Sequence, residues 1–325
     1  MKLPLPQLFL VATLLVSLTI SHFAHRFDPY HLEITIAVGI NIILAVSLNL
    51  INGYTGQFSL GHAGFMAMGA YTSAAISIHA GPTLLSLFGF AGKSGSISLL
   101  FFVALLSGGI AAALAGLLVG TPSLRLKGDY LAIVTLGFGE IIRVIFRNIE
   151  PLGGALGLTG IPAYTTFFWT FGFAAITVYT IVSLVHSTYG RGFLAVHDDE
   201  VAAEAMGINT TRYKIVAFLI GAFFAGIAGG LYGHFKLSIA PGGFDFMRSI
   251  EIVVMVILGG MANTPGVIAA AILLTVLPEW LRPVQEYRMI IYSLLLIVLM
   301  LTRPQGLFSF GWYEKWRARR SATEA

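Results

Sequence analysis

The chain has 325 residues, 57% of them hydrophobic and 10% charged, and its mean hydropathy of +0.85 lies outside the range of water-soluble globular domains. Cysteine is absent, so disulfides and thiolate metal sites are excluded, and the net charge of +4 forms no basic stripe of the kind that nucleic acid requires. What remains is a membrane domain.

Apolar runs of roughly 17–25 residues read as membrane spans. In chain order they fall at 5–23, 34–51, 61–78, 99–119, 130–146, 166–185, 215–235 and 289–301. The stretch 250–281 is apolar but interrupted by Gly259, Gly260, Asn263, Pro265 and Gly266, which predicts two short helices meeting at a break. The reading is one all-α polytopic domain over 1–325 with about ten transmembrane helices. Lys2, Arg125, Lys127, Arg191, Arg212, Lys214 and the basic tail at 303–325 alternate so as to put both termini in the cytoplasm. The first run reads as a span and not as a signal peptide, because it is long enough to cross and its cleavage pattern is poor.

The segment GYTGQFSLGHAGFMAMGAY at 53–71 has too much glycine and too many polar groups for a lipid-facing span. Gln57, Ser59, His62 and Gly64 admit two readings: they satisfy backbone groups freed by an irregular helix entry, or they belong to a gate or solute path. A second glycine-rich break at 259–266 occupies a comparable position in the other half, as expected of an internal repeat or simply of close helix packing. Close packing is also written into AFFAGIAGGLYGH, where Gly226 and Gly230, and Gly229 and Gly233, stand four apart.

AGKSGS at 91–96 resembles the end of a phosphate loop, but Leu87 stands where the first glycine is required, so no nucleotide binding is expected of this chain. His62 and His79 lie at opposite ends of one span and cannot share a metal within it. No zinc-protease, nucleophile-elbow or paired-carboxylate signature occurs, which argues against an enzyme. In TLGFGEIIRVIFRN, headed by Thr135, Glu140 and Arg143 are spaced to pair along a helix, with Arg147 one turn on. Either the pair solves a burial problem or Glu140 faces the path and holds an ammonium group; Asn263 at the second break poses the same choice.

The longest polar insertion is STYGRGFLAVHDDEVAAEAMGINTTRYK at 187–214. Asp198 or Asp199 can cap a short helix over 200–206, with Gly207 left-handed at its end and Ile208 folded back on Ala203. Ala202, Ala203 and Ala205 around Met206 make an apolar patch, as a helix that docks into a protein groove would. A helix lying on the membrane surface is the competing account.

This segment and the helix after it resemble the cytoplasmic coupling region of the branched-chain amino acid ABC transporter permeases of the LivM type. The segment at 53–71, TLGFGEIIRVIFRN, GLTGIP and LGGMANTPG are similar to further signatures of that family in the same order, from about Asn41 to Leu307. The resemblance implies the ABC importer permease fold in the inner membrane and alternating-access import of leucine, isoleucine and valine; urea, other amino acids or aromatic acids on the same scaffold are alternatives. It implies a second homologous permease of the LivH type, two cytoplasmic ABC ATPases that hold ATP and Mg, a periplasmic binding protein, surrounding lipid, and no cofactor on this chain. It also implies that Gly190, Arg191, His197, Asp198, Asp199, Glu200, Ala202, Ala203, Met206 and Gly207 couple the ATPase to the membrane helices. The family usually has a basic residue where this chain has His197, which puts an acidic or phosphate-like contact there in doubt. A self-sufficient secondary transporter would instead need buried coupling carboxylates at mid-bilayer and no docking helix.

Overall fold

The computed structural model describes residues 5–22, 28–83, 94–123, 129–282, 287, 293–294 and 297–298. The predicted span at 289–301 lies largely outside them, as do Lys2, Arg125, Lys127 and the tail at 303–325. The described chain is almost wholly helical. Helices α1 (Leu5–His22), α2 (Pro29–Asn49), α3 (His62–Ala75), α4 (Ser94–Ser123), α5 (Asp129–Asn148) and α6 (Phe167–Val185) precede two short ones, α7 (Gly190–Asp198) and α8 (Glu200–Ala205). Then come α9 (Thr210–Lys236), α10 (Phe246–Gly259) and α11 (Thr264–Trp280). The expected pair of short helices within 250–281 is therefore present. The segment 91–96, expected in a loop, enters α4 at Ser94.

Polar residues set the helix starts. Asp28 caps α2 by accepting the Tyr30 N–H, Asp199 caps α8, Asn209 caps α9, Asp245 caps α10 and Asn263 caps α11. Each side chain takes a donor that the first turn leaves orphaned, a need that grows where water is scarce. Helices α2 and α3 both widen at their ends into π turns, Leu50–Tyr54 and Ile76–Ala80.

Among the described residues, four helices are long and apolar enough to cross a membrane: Pro29–Tyr54, Gly95–Ser123, Phe167–Val185 and Thr210–Lys236. They differ in how much protein surrounds them. Every residue of α2 from Val38 to Asn49 is buried, as an all-round apolar helix at the centre should be. By contrast α4 shows a stripe of Leu99, Phe102, Val103, Leu106, Ile110 and Leu114 to the outside.

Helix α9 packs against α3, α4 and α2, while α2 also meets α6, α10 and α11, so these two helices organise the bundle. The α3–α4–α9 contact is made by glycine. A methyl group at Gly69 would overlap the Gly226 carbonyl, one at Gly229 would overlap the Met66 carbonyl, and one at Gly226 would press on Gly108 and Ala112. The small-residue stripes legible in the sequence thus bring three backbones together. A two-residue antiparallel ladder, Leu158↔Ile239 and Thr159↔Ser238, ties the segment after α5 to the end of α9.

Gly69→Leu or Gly229→Leu should abolish recovery of monodisperse protein from membranes in size-exclusion chromatography. Gly137→Leu, at a site with no atom within 4 Å, should leave the profile unchanged.

Candidate functional site

The two glycine-rich breaks, far apart in sequence, are in contact. After its π turn α2 stops at Tyr54, and the chain turns through Gly56, whose φ of +65° is the left-handed region. The second break turns through Gly260 and Ala262, with φ of +92° and +61°. Gly53 lies directly on the Ala262 backbone, which leaves no space for a side chain. The Ala262 N–H donates to Asn49 Oδ1 at 3.0 Å, and the Tyr54 and Thr264 hydroxyls are 2.9 Å apart.

Backbone freed at the first break is satisfied by side chains from three helices. Asn52 Oδ1 accepts the Ser59 N–H at 3.2 Å, and its amide nitrogen donates to the Ser59 carbonyl at 3.5 Å. Thr135 Oγ1 of α5 accepts the Leu60 N–H at 3.0 Å, and Ser249 Oγ of α10 accepts the Ala63 N–H at 3.1 Å. The expectation that Gln57, Ser59 and His62 satisfy these groups needs correction. Gln57 donates to the Thr55 hydroxyl at 2.9 Å, and His62 Nε2 meets the Ser47 hydroxyl at 3.0 Å. Asn52 at the end of the preceding helix, with Thr135 and Ser249 from distant helices, reaches these groups instead.

All three of those residues are nonetheless buried. Gln57 Oε1, Ser59 Oγ, His62 Nδ1 and Asn49 Nδ2 have no hydrogen-bond partner among the described residues. Buried polar atoms are normally paired, so this concentration sets the first break apart from the rest of the interior. Gly64 faces Gly139, where an added methyl would lie 2.8 Å from the Gly139 Cα. Glu140 binds Arg143 at 2.6 Å, as its spacing predicts, and lines a narrow cleft with Gly64, Asp245 and Ser249. Asn263 caps α11, accepting the Gly266 N–H at 3.4 Å. Five of the candidate residues, Gln57, Ser59, His62, Gly64 and Thr135, are thus brought together, with Glu140 beside them and Asn263 at the opposing break. Asn49 and Asn52 were missed by sequence reasoning, although two amides in the apolar run LNLING are a usable signal.

The insertion between α6 and α9 is a second ordered unit. Asp199 Oδ1 accepts the Val201 and Ala202 N–H groups at 2.9 and 3.0 Å, fixing Asp199 and not Asp198 as the cap. Gly207 is left-handed at +83°, and the Ile208 N–H reaches the Ala203 carbonyl at 3.0 Å. The helix end is the predicted one. Lys214 Nζ, almost fully buried on α9, binds Glu200 Oε1 at 2.6 Å, and the Thr210 hydroxyl donates to Glu204 Oε1 at 2.7 Å. This clamps α8 to the first turn of α9. Ala203 faces the clamp, whereas Val201, Ala202, Ala205 and Met206 face out, Met206 with 83% of its surface exposed.

Helix α7 is fitted differently. Gly190 lies against the Val185 carbonyl and Gly192 against the Tyr213 ring, so both are buried, while Arg191, Asp198 and His197 are exposed. Burial raises the Tyr189 phenol above its ordinary pKa, with Tyr213 beside it adding to the effect. His197 rests on the Gly56 turn: a methyl at Gly56 would lie 3.2 Å from His197 Cδ2. The insertion therefore touches the first break directly.

Residues 30–301 match the family described as branched-chain amino acid transport system, permease component. The chain is 34% identical to the high-affinity branched-chain amino acid transport permease LivM of Salmonella typhimurium and 35% identical to that of Escherichia coli, each alignment covering 93% of this chain and 74% of the relative. A probable LivM of Methanocaldococcus jannaschii is 26% identical over 83% of this chain and 90% of its own length. LivH of Escherichia coli is 32% identical over 45% of the chain and 48% of its own length. No solved structure matches. The chain belongs to the branched-chain amino acid transport permease family.

Asn52→Ala removes partners from two buried backbone groups and should cost about 1–3 kcal/mol for each group left unpaired, read as a lower melting temperature of the purified protein. Asn148→Ala, whose amide only bonds the Val144 carbonyl on an exposed helix face, should leave that temperature nearly unchanged.

Proposed function

We propose that this family member is the permease subunit of an ATP-binding cassette importer that moves leucine, isoleucine and valine inward by alternating access. The observation that carries the reading is the family match over most of the chain, joined to a rigid, outward-facing short helix built where such an importer needs a docking element. The relatives' names favour branched-chain amino acids over urea or aromatic acids. The chain catalyses no covalent step; ATP and Mg are held by two partner ATPases, a LivH-type permease completes the path, and a periplasmic protein delivers the solute. Similarity to LivH over part of the chain supports a homologous permease partner. The domain spans 1–325 as about ten transmembrane helices in the inner membrane, with the tail at 303–325 and both termini cytoplasmic.

In this reading Val201, Ala202, Ala205 and Met206 enter a cleft of the ATPase, with Arg191, Asp198 and His197 at its rim. The buried members of the coupling set act differently. Gly190, Glu200 and Ala203 transmit the push, since they join α7 and α8 to the membrane helices. Closure of the ATPases moves α8, and the Lys214–Glu200 pair passes that motion to α9. His197 passes it to the Gly56 turn, and the Gly53–Ala262 contact carries it to the second break. Gln57, Ser59, His62, Thr135 and Glu140 lie where that motion arrives, and their unpaired buried atoms let this layer change partners as the path opens.

Co-purification with a tagged ATPase subunit tests the assembly, and leucine uptake by this chain alone in liposomes would contradict it. Gly207→Val forces a β-branched residue into the left-handed region and distorts the end of α8. In the reconstituted complex it should leave ATP hydrolysis running while uptake falls severalfold; normal coupled uptake would reject the docking role.

A further inference from the structure

A cavity of about 300 Å³ opens between α2, α9 and α10, at the lower end of the range of small-molecule sites, roughly 300–1,000 Å³. Its walls are of two kinds. Ile40, Tyr232 and Phe235 supply apolar surface, and Asn41, Arg248 and Glu251 supply polar groups. The guanidinium is held in place: Arg248 Nη2 donates to Asn41 Oδ1 at 2.7 Å and Nη1 to Glu251 Oε2 at 2.7 Å. Asn41 is buried and is itself fixed from behind, its amide nitrogen donating to the Thr275 hydroxyl of α11 at 2.8 Å. These bonds engage two of the five N–H donors of Arg248, and Glu251 is half-exposed with acceptor capacity to spare.

We propose that this cavity binds the zwitterionic end of an aliphatic amino acid. The free donors of Arg248 take the carboxylate, Glu251 takes the ammonium, and the side chain lies against Ile40, Tyr232 and Phe235. A fixed pair of opposite charges over an apolar wall suits a molecule that is neutral overall but carries both charges at one end. Solutes lacking either charge leave Arg248 or Glu251 without its partner. Two further charges stand nearby: Lys236 lines the cavity with its ammonium above the Phe235 ring, and the Asp245 carboxylate accepts the Arg248 backbone N–H at 3.0 Å. The cavity is also connected to the moving layer. The residue after Arg248, Ser249, bonds the Ala63 N–H at the start of α3, so one turn of α10 joins the cavity to the first break. The site rests on the reading of the chain as an amino acid permease, and it is distinct from Gln57, Ser59, His62 and Glu140.

The chain contains no cysteine, so Ala37→Cys at the cavity wall introduces its single thiol. In the complete complex reconstituted in liposomes, without binding protein, saturating leucine should slow maleimide labelling of that thiol by about tenfold. Leucinamide and 4-methylpentanoate, each lacking one charge, should slow it far less; equal labelling with and without leucine overturns the site. With binding protein added, Glu251→Gln should lower leucine delivered per ATP hydrolysed by about tenfold while hydrolysis persists, and an unchanged ratio also overturns it. A complex that imports no branched-chain amino acid at all removes the functional reading and the site together. Normal leucine import with neither effect removes the site alone.

Discussion

A helix interrupted in apolar surroundings must find partners for every N–H and C=O it releases, and this constraint decides where the polar residues of the chain stand. The break after Tyr54 frees the backbone of Ser59, Leu60 and Ala63, and Asn52, Thr135 and Ser249 come from α2, α5 and α10 to bind it. The break at Ala262 is bound by Asn49 in the same way. One layer of hydrogen bonds thus fixes the relative positions of α2, α3, α5, α10 and α11. Outside that layer the helices are joined largely by packing, with glycine setting the closest approaches of α3, α4 and α9.

The same layer is the natural place for motion. Packed helices slide as units because their interiors are dense, so movement concentrates where regular structure stops. Four buried polar atoms at the first break have no partner among the described residues, so this layer is the least regularly bonded part of the interior. The insertion between α6 and α9 reaches this layer by two routes, through the Lys214–Glu200 pair on α9 and through His197 on the Gly56 turn. The insertion is therefore in contact with both of the helices that organise the bundle. The His197 ring lies close against the Gly56 turn, where a methyl group would come within 3.2 Å of it.

How far the sequence could be read depended on the range of the interactions. The α8 cap and its left-handed end were legible because Asp199, Gly207 and Ile208 act on backbone only a few residues away. The Glu140–Arg143 pair was legible for the same reason, as was the division of 250–281 into two helices at a run of glycine, asparagine and proline. The partners of Gln57, Ser59 and His62 were not legible. Their composition announced an irregular segment, but which side chain satisfies which backbone group depends on helices brought together from distant parts of the chain.

The sequence by itself determined a helical membrane protein, its family, the two breaks and the form of the short outward helix, because hydropathy, glycine and capping residues act locally. Only the tertiary structure decided that the two breaks touch and that Gly190 and Glu200 face inward while Val201 and Met206 face out. It also decided that Asn41, Arg248 and Glu251 meet at one cavity. Those outcomes rest on contacts between residues as much as 213 positions apart, and no local pattern encodes the rotation of one packed helix against another.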